Sequence, residues 1–377
     1  MRILTFFNRY DYVLLGSKNE HHMATYTDTL EIEKSKATKI NSVDFSNLDF
    51  GRVFTDHMFL CDYKDGKWQT PKITPYRAMT IEPSARVFHY GQAVFEGMKA
   101  YKDDAGKIFL FRPKQNFERI NKSSARLAIP EFPENYFFNG LETLLKLDED
   151  WIKAGVGNSL YLRPFVIATE PAISASPAQE YRFMIICSPA KSYYNAPVRV
   201  LIAEEYSRSA DGGVGFAKAA GNYAAQFYPT SLALKEGFQQ VIWTDANTHK
   251  YLEEAGTMNV FFRVNDKLIT APVSDRILDG VTRKSVIQLA SDLGIECEVR
   301  PITVEEIKTS ARAGELKEVF GAGTAAVISS VSAFQHQGEL FDLAECDDSY
   351  GKLFKQTLLN IQHNISEDVH GWRHEVK

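Results

Sequence analysis

Cysteine is scarce in this chain: four residues in 377, at Cys61, Cys187, Cys297 and Cys346. No two form a CxxC pair and none stands at metal-ligand spacing from a histidine, which excludes a disulfide scaffold and a zinc-ribbon site; no metal is expected. The same thiol pattern fits a reduced, cytoplasmic compartment. No apolar run approaches the roughly 20 residues of a membrane-spanning helix, so no membrane partner is expected. With a net charge of −5 the chain has no basic excess to attract nucleic acid or an anionic bilayer. The phosphate-binding patterns GxxxxGKS/T and GxGxxG are missing, and there is no internal repeat.

What is present is a globular composition, 44% hydrophobic and 12% aromatic, with enough length for two domains. Residues 1–22 carry no helix or strand period, and Asn8, Arg9, Asp11 and Tyr12 interrupt any signal-peptide core. They read as a disordered extension, with Met23 as an alternative start. A first α/β domain is expected over 23–190, an interdomain loop over the polar, proline-bearing 191–198, and a second domain over 199–377. Turn signals at Lys64-Asp65-Gly66 and from Asp103 to Gly106 each predict a hairpin. Pro113 opens a helix whose apolar side is Phe117, Ile120, Ala125 and Leu127.

The stretch VGFAKAAGNY, residues 214–223, organises the functional reading. Lys218 stands among glycines and alanines with no carboxylate near it in sequence. An amine attacks a carbonyl only after losing its proton, and a small-walled apolar site favours that loss. A lysine at a glycine-rich turn is ordinarily just solvated, so other segments must support the assignment. If Lys218 binds pyridoxal phosphate, the cofactor's ring nitrogen needs a carboxylate partner. Glu254 is the candidate, read as lying on a small-residue turn before the apolar run Val260, Phe261, Phe262. Arg119, inside the helix opened by Pro113, offers a guanidinium to a phosphate. Helix-start backbone near Gly280, Val281 and Thr282 offers N–H groups, and a glycine turn at Gly321, Gly323 and Thr324 offers more. Tyr90, Phe95 and Tyr101, mixed with glycines, suit an apolar ligand wall, and Arg163 is a charge inside a strand-like run that should be paired or functional.

FTDHMF, HYGQAVFEGMKA, YLRP, KAAGNYA, EAGTMNVF, LDGVTRKS and VFGAGTAAVI stand in the order found in branched-chain amino-acid aminotransferases of fold type IV, which this chain resembles from about Phe50 to Trp372. The resemblance implies a two-domain α/β fold of the α+β type, with a smaller N-terminal α/β domain and a larger C-terminal pseudo-barrel domain. It implies pyridoxal 5'-phosphate joined to Lys218, with Glu254 at the ring nitrogen and Tyr223 at the ring hydroxyl. Arg119, Val281, Thr282 and Thr324 then hold the phosphate. Phe50, Tyr90, Phe95, Tyr161, Arg163, Thr257 and Ala325 contact substrate, some of them across a homodimer interface. The implied reaction is amino transfer between leucine, isoleucine or valine and 2-oxoglutarate, so the partners are small amino acids and 2-oxo acids. A D-amino acid aminotransferase or an aminodeoxychorismate lyase of the same fold is the alternative; a non-catalytic binding module would need neither Lys218, Glu254 nor Tyr223. Animal members carry a CxxC pair where this chain has Ala326 and Ser329, so no thiol switch is expected.

Overall fold

The computed structural model describes residues 29–191 and 196–377. The leader, with Met23, and the middle of the 191–198 connection lie outside the described residues. Among the described residues there are two mixed β-sheets and seven α-helices, and one sheet curls into a half-barrel.

The first sheet has ten strands. Its opening hairpin, His57–Lys64 with Lys67–Trp68, turns through Asp65 (φ 53°) and Gly66 (φ 73°). Positive φ at both central residues matches the right-handed twist of the strands, and Asp-Gly is the pair that adopts it at low cost. The long antiparallel pair Ser159–Ala168 and Tyr181–Ala190 forms the spine of this sheet. Helix Glu134–Leu147 lays Phe137, Leu141 and Leu144 on the sheet at i, i+4, i+7 spacing, with Phe59, Phe132 and Phe183 beneath. Phe132 and Phe183 stack with centroids 3.8 Å apart.

The expected helix after the second hairpin runs Pro113–Arg126, with proline in its first turn. Its buried side departs from the expected apolar one. Phe117 and Ile120 are buried, but Ala125 is exposed and Leu127 only half-buried, while Asn116, Arg119, Ser123 and Ser124 are buried. A second, polar face of this helix is covered by the other half of the molecule.

In the nine-stranded second sheet, Val198–Ile202 pairs in parallel with both Gln240–Thr244 and Val327–His336. Beyond the latter lie Leu316–Gly323 and Asn259–Val264. The chain then returns to the first sheet. Strand Arg373–Glu375 pairs with Ile108–Phe111, and helix Tyr350–Gln362 packs against strands of both sheets. At the junction Phe95 N–H donates to the carbonyl of Lys218 (3.1 Å), while Lys218 N–H donates to Ser123 Oγ (2.9 Å). The lysine backbone is therefore held by the first sheet and by the polar face of helix Pro113–Arg126.

Candidate active site

Lys218 ends an irregular segment and precedes helix Ala220–Lys235, whose Asn222 donates to the carbonyls of Val214 and Ala217 and so fixes the approach to the lysine. Tyr223, on the first turns of that helix, brings its hydroxyl 2.8 Å from Lys218 Nζ. The rings of Phe95 and Tyr223 have centroids 4.9 and 5.3 Å from the amine. Two acids act on Lys218 electrostatically, Glu96 and Glu254, and an arginine pairs with each. The amine is left without an ion pair among the described residues, which suits a nucleophile better than a structural cation.

Glu254 lies inside strand Leu252–Ala255, not on the expected turn; the turn is the Gly256–Met258 segment that follows. Alternation along the strand sends Glu253 and Glu254 to opposite faces. Glu253 meets Arg276, whereas Glu254 Oε1 meets Arg208 Nη2 at 2.7 Å. Glu254 Oε2 accepts from Leu278 N–H and from Asn259 Nδ2, each at 3.2 Å. Burial pushes the Glu254 carboxyl above the usual range, opposed by the Arg208 guanidinium and the Leu278 N–H. A cationic ring nitrogen nearby would add a second charge holding it ionised.

Glu254, Lys218, Tyr223 and Arg119 line one narrow cleft, together with Val281, Thr282 and Thr324. Helix Val281–Asp292 begins there with Gly280 as N-cap, no side-chain cap and no acid in its first turn. Its first intrahelical bond is Lys284 N–H to Gly280, so the N–H groups of Val281, Thr282 and Arg283 remain available to an anion. Gly280 is needed for space: a Cβ there would stand 2.0 Å from Asn259 Oδ1. Arg119 donates Nε and Nη2 to Glu96 (2.6 and 2.8 Å) and Nη1 to the Asp279 carbonyl (2.9 Å). Two of its five N–H groups are left over. Burial works to raise the Glu96 carboxyl, but Arg119 and the Asn116 amide outweigh it and hold it low. This donor set, an uncapped helix end with spare guanidinium hydrogens, fits a phosphate, and the buried acid fits a protonated ring nitrogen.

The cleft shares Lys218, Tyr223, Thr257, Gly323 and Thr324 with a cavity of about 630 Å³. Tyr161, Arg163, Phe165 and Ile167 line it from one strand, the spacing of a single sheet face. Arg163 Nη2 donates to Tyr161 Oη (2.7 Å), its guanidinium lies 4.5 Å from the Phe95 centroid, and its buried Nε has no partner among the described residues. Phe50 meets Tyr161 edge-on at 4.9 Å, and Thr257 and Ala325 complete the expected set. Tyr90 is the exception. It stands at the exposed end of the short helix Arg86–Tyr90, its hydroxyl bonded to the Ile173 carbonyl, and does not line the cavity of its own chain.

Sequence reasoning missed Arg208, Glu96, Asn259 and Ser123. Glu96, a lone acid between Phe95 and Gly97 in an otherwise apolar run, was the one available signal.

The amino-transferase class IV family model matches residues 93–334. On that match the chain belongs to the class IV aminotransferases, which in general depend on pyridoxal phosphate. Branched-chain-amino-acid transaminase 1 of Bacillus subtilis is 44% identical over 341 residues, covering 88% of this chain and 95% of that protein. A probable branched-chain-amino-acid aminotransferase of Staphylococcus epidermidis is 44% identical over 358 residues, covering 93% of this chain and 99% of that one. Within the class IV family, then, the chain belongs to the branched-chain amino-acid aminotransferases. The Escherichia coli branched-chain aminotransferase structure superposes with a TM-score of 0.71 at 22% identity, covering 85% of this chain and 99% of that one. That likeness supports the fold.

Proposed function

We propose that this enzyme transfers the amino group of L-leucine, L-isoleucine or L-valine to 2-oxoglutarate, reversibly, using pyridoxal 5'-phosphate bound in the cleft. The observation that carries the reading is the meeting of Lys218, without an ion pair among the described residues, and buried Glu254 in a cleft that begins at an uncapped helix end and opens into a largely apolar cavity.

Arg119, Thr324 and the backbone N–H groups of Val281 and Thr282 would hold the phosphate, Glu254 the ring nitrogen and Tyr223 the ring hydroxyl. When bound, the cofactor supplies an electron sink for the charge left on the substrate α-carbon. Lys218 Nζ would carry the proton from that carbon to the cofactor when the amino donor reacts, and in the opposite direction when the 2-oxo acid does. Tyr223 Oη, 2.8 Å from Nζ, orients the amine between transfers. The Arg208 guanidinium opposes the upward push of burial on the Glu254 carboxyl and aims it.

Substrate selection follows from the cavity walls. Phe50, Phe95, Phe165 and Ile167 bury a branched aliphatic side chain, with Thr257 and Ala325 at its rim. Arg163, its Nε unsatisfied and its charge without a paired acid among the described residues, receives the γ-carboxylate of glutamate or 2-oxoglutarate. Tyr90, exposed at the end of helix Arg86–Tyr90, serves as a substrate contact across a homodimer, its ring presented to a second copy's cavity. All four cysteines are free, which suits a cytoplasmic enzyme.

The test is glutamate formation from 2-oxoglutarate with each amino donor in turn. Leucine, isoleucine and valine should all be used, and activity confined to D-alanine or to aminodeoxychorismate would overturn the assignment.

A further inference from the structure

Arg112 is a cation that the reaction outlined above does not use. It is the N-cap of helix Pro113–Arg126, is half-buried, and forms no ion pair with an acid among the described residues. Asp279, the acid that acts on it electrostatically, is bridged to Lys284 at 3.0 Å. The backbone of Arg112 adopts φ 51°, a left-handed conformation that a residue with a long side chain keeps only where its surroundings enforce it. Here the Trp372 segment does so: Arg112 N–H donates to the Trp372 carbonyl at 2.7 Å, and the guanidinium lies 4.8 Å from the Trp372 ring centroid.

From that seat Arg112 Nη1 donates to Ser285 Oγ at 2.7 Å. Ser285 is fully buried on helix Val281–Asp292, and its hydroxyl donates in turn to the Val281 carbonyl at 3.0 Å. A guanidinium can only donate and a hydroxyl has one proton, so the direction of this chain is fixed. The Val281 carbonyl and the Thr282 N–H belong to one peptide unit. In an α-helix carbonyls point toward the C-terminus and N–H groups toward the N-terminus, so the Thr282 N–H faces the cleft that Gly280, Val281 and Thr282 line. Hydrogen bonds in a chain polarise one another at low dielectric, and a charge delivered at the carbonyl end of a peptide makes its N–H a stronger donor. Arg119 reaches the same anion seat directly, from the helix that Arg112 caps.

We propose that Arg112 and Ser285 are positioning residues for the cofactor phosphate: a relay from guanidinium to hydroxyl to the 281–282 peptide fixes and strengthens the Thr282 N–H that meets it. This rests on the pyridoxal phosphate reading above. The relay acts on the phosphate and on no other part of the cofactor.

Arg112→Met removes the charge and keeps an apolar stem against Trp372, and Ser285→Ala breaks the chain at its middle. Affinities of the full chain for pyridoxal 5'-phosphate and for pyridoxal are read by absorbance titration. Both aldehydes can join Lys218, and only the first carries the phosphate. The dissociation constant for pyridoxal phosphate should rise about tenfold in Arg112→Met and about fivefold in Ser285→Ala, the scale of a charge-assisted hydrogen bond felt at one remove, with pyridoxal changed by less than about twofold. The double variant should match Arg112→Met, because members of one chain do not act independently. Equal losses for both aldehydes, losses that multiply in the double variant, or unchanged pyridoxal phosphate affinity in Ser285→Ala would overturn the relay. Where Arg112→Met does not fold, the two aldehydes compared in Ser285→Ala decide alone. The parent separates the two readings: a parent that shows no band with pyridoxal phosphate refutes the cofactor reading and the relay together, whereas a parent that binds it no better than the variants refutes the relay alone.

Discussion

Arg208 and Glu254 are locked together, with 2.7 Å between Nη2 and Oε1 and both side chains buried. Arg208 also donates to the carbonyls of Arg276 and Gly215, and Gly215 is three residues before the lysine. One guanidinium thus ties the acid at one side of the cleft to the loop that delivers Lys218. Glu254→Gln keeps the size of the side chain but removes the charge a ring nitrogen would meet. Turnover should fall at least about 100-fold, the scale of losing a directed electrostatic partner. Unfolding stability should fall by about 3–5 kcal/mol because Arg208 is left buried and unpaired. Steady-state rates and denaturant melts of the variant check both.

Tyr223→Phe removes the hydroxyl 2.8 Å from Lys218 Nζ and leaves the ring contact with Phe95 in place. A hydrogen bond to a charged group contributes about 1.5–3 kcal/mol, so turnover should drop roughly 10- to 100-fold with little change in melting temperature. A drop in stability matching the drop in rate would instead make Tyr223 a packing residue.

Arg163→Gln should divide the substrates. KM for 2-oxoglutarate and glutamate should rise at least about tenfold, the cost of one charge-assisted pair, while KM for leucine stays within about threefold. Equal changes for both would remove Arg163 from the dicarboxylate role.

Glu96→Gln strands the buried Arg119 charge and should cost about 3–5 kcal/mol of stability at neutral pH. The folded-state carboxyl of Glu96 is held below its ordinary value, so its contribution is fully present above that value and is lost as pH falls through the folded one. The gap between parent and variant should therefore stay constant from about pH 8 to 5 and close only below about pH 4.5. Urea melts across that range measure it. A gap that closes near neutrality would contradict the pairing.

Legibility in the sequence followed locality. The hairpin at Asp65-Gly66, the helix from Pro113 and the helix from Val281 were readable because turn chemistry, proline and glycine act on their neighbours. Lys218 stood out because its small neighbours are adjacent in sequence, and the strand face of Tyr161, Arg163, Phe165 and Ile167 follows from a period of two. Arg208 carries no such mark. It stands in an irregular segment, and its role comes from a partner 46 residues away in the chain. Helical periodicity reports an amphipathic stripe and so predicts Ala125 as core, yet the polar side, Asn116, Arg119 and Ser123, is the one buried beside Phe117 and Ile120, through bonds to Glu96, the Asp279 carbonyl and the Lys218 N–H. Tyr90 lies beside Phe95 in a single motif, but the short helix Arg86–Tyr90 turns it outward before strand Ala93–Phe95 enters the cavity wall. The small residues after Glu254 predict a turn there, but strand pairing of Ala255 with Ile242 draws it into the sheet.

Covalent capture of the cofactor by the Lys218 amine is read out by the visible absorption spectrum of the purified protein with added pyridoxal phosphate. The parent should show a band from the covalently held cofactor that leucine bleaches, and Lys218→Ala should lack that band and lose turnover by several orders of magnitude, as for removal of a catalytic nucleophile. An unchanged band, or near-normal turnover in Lys218→Ala, would contradict it.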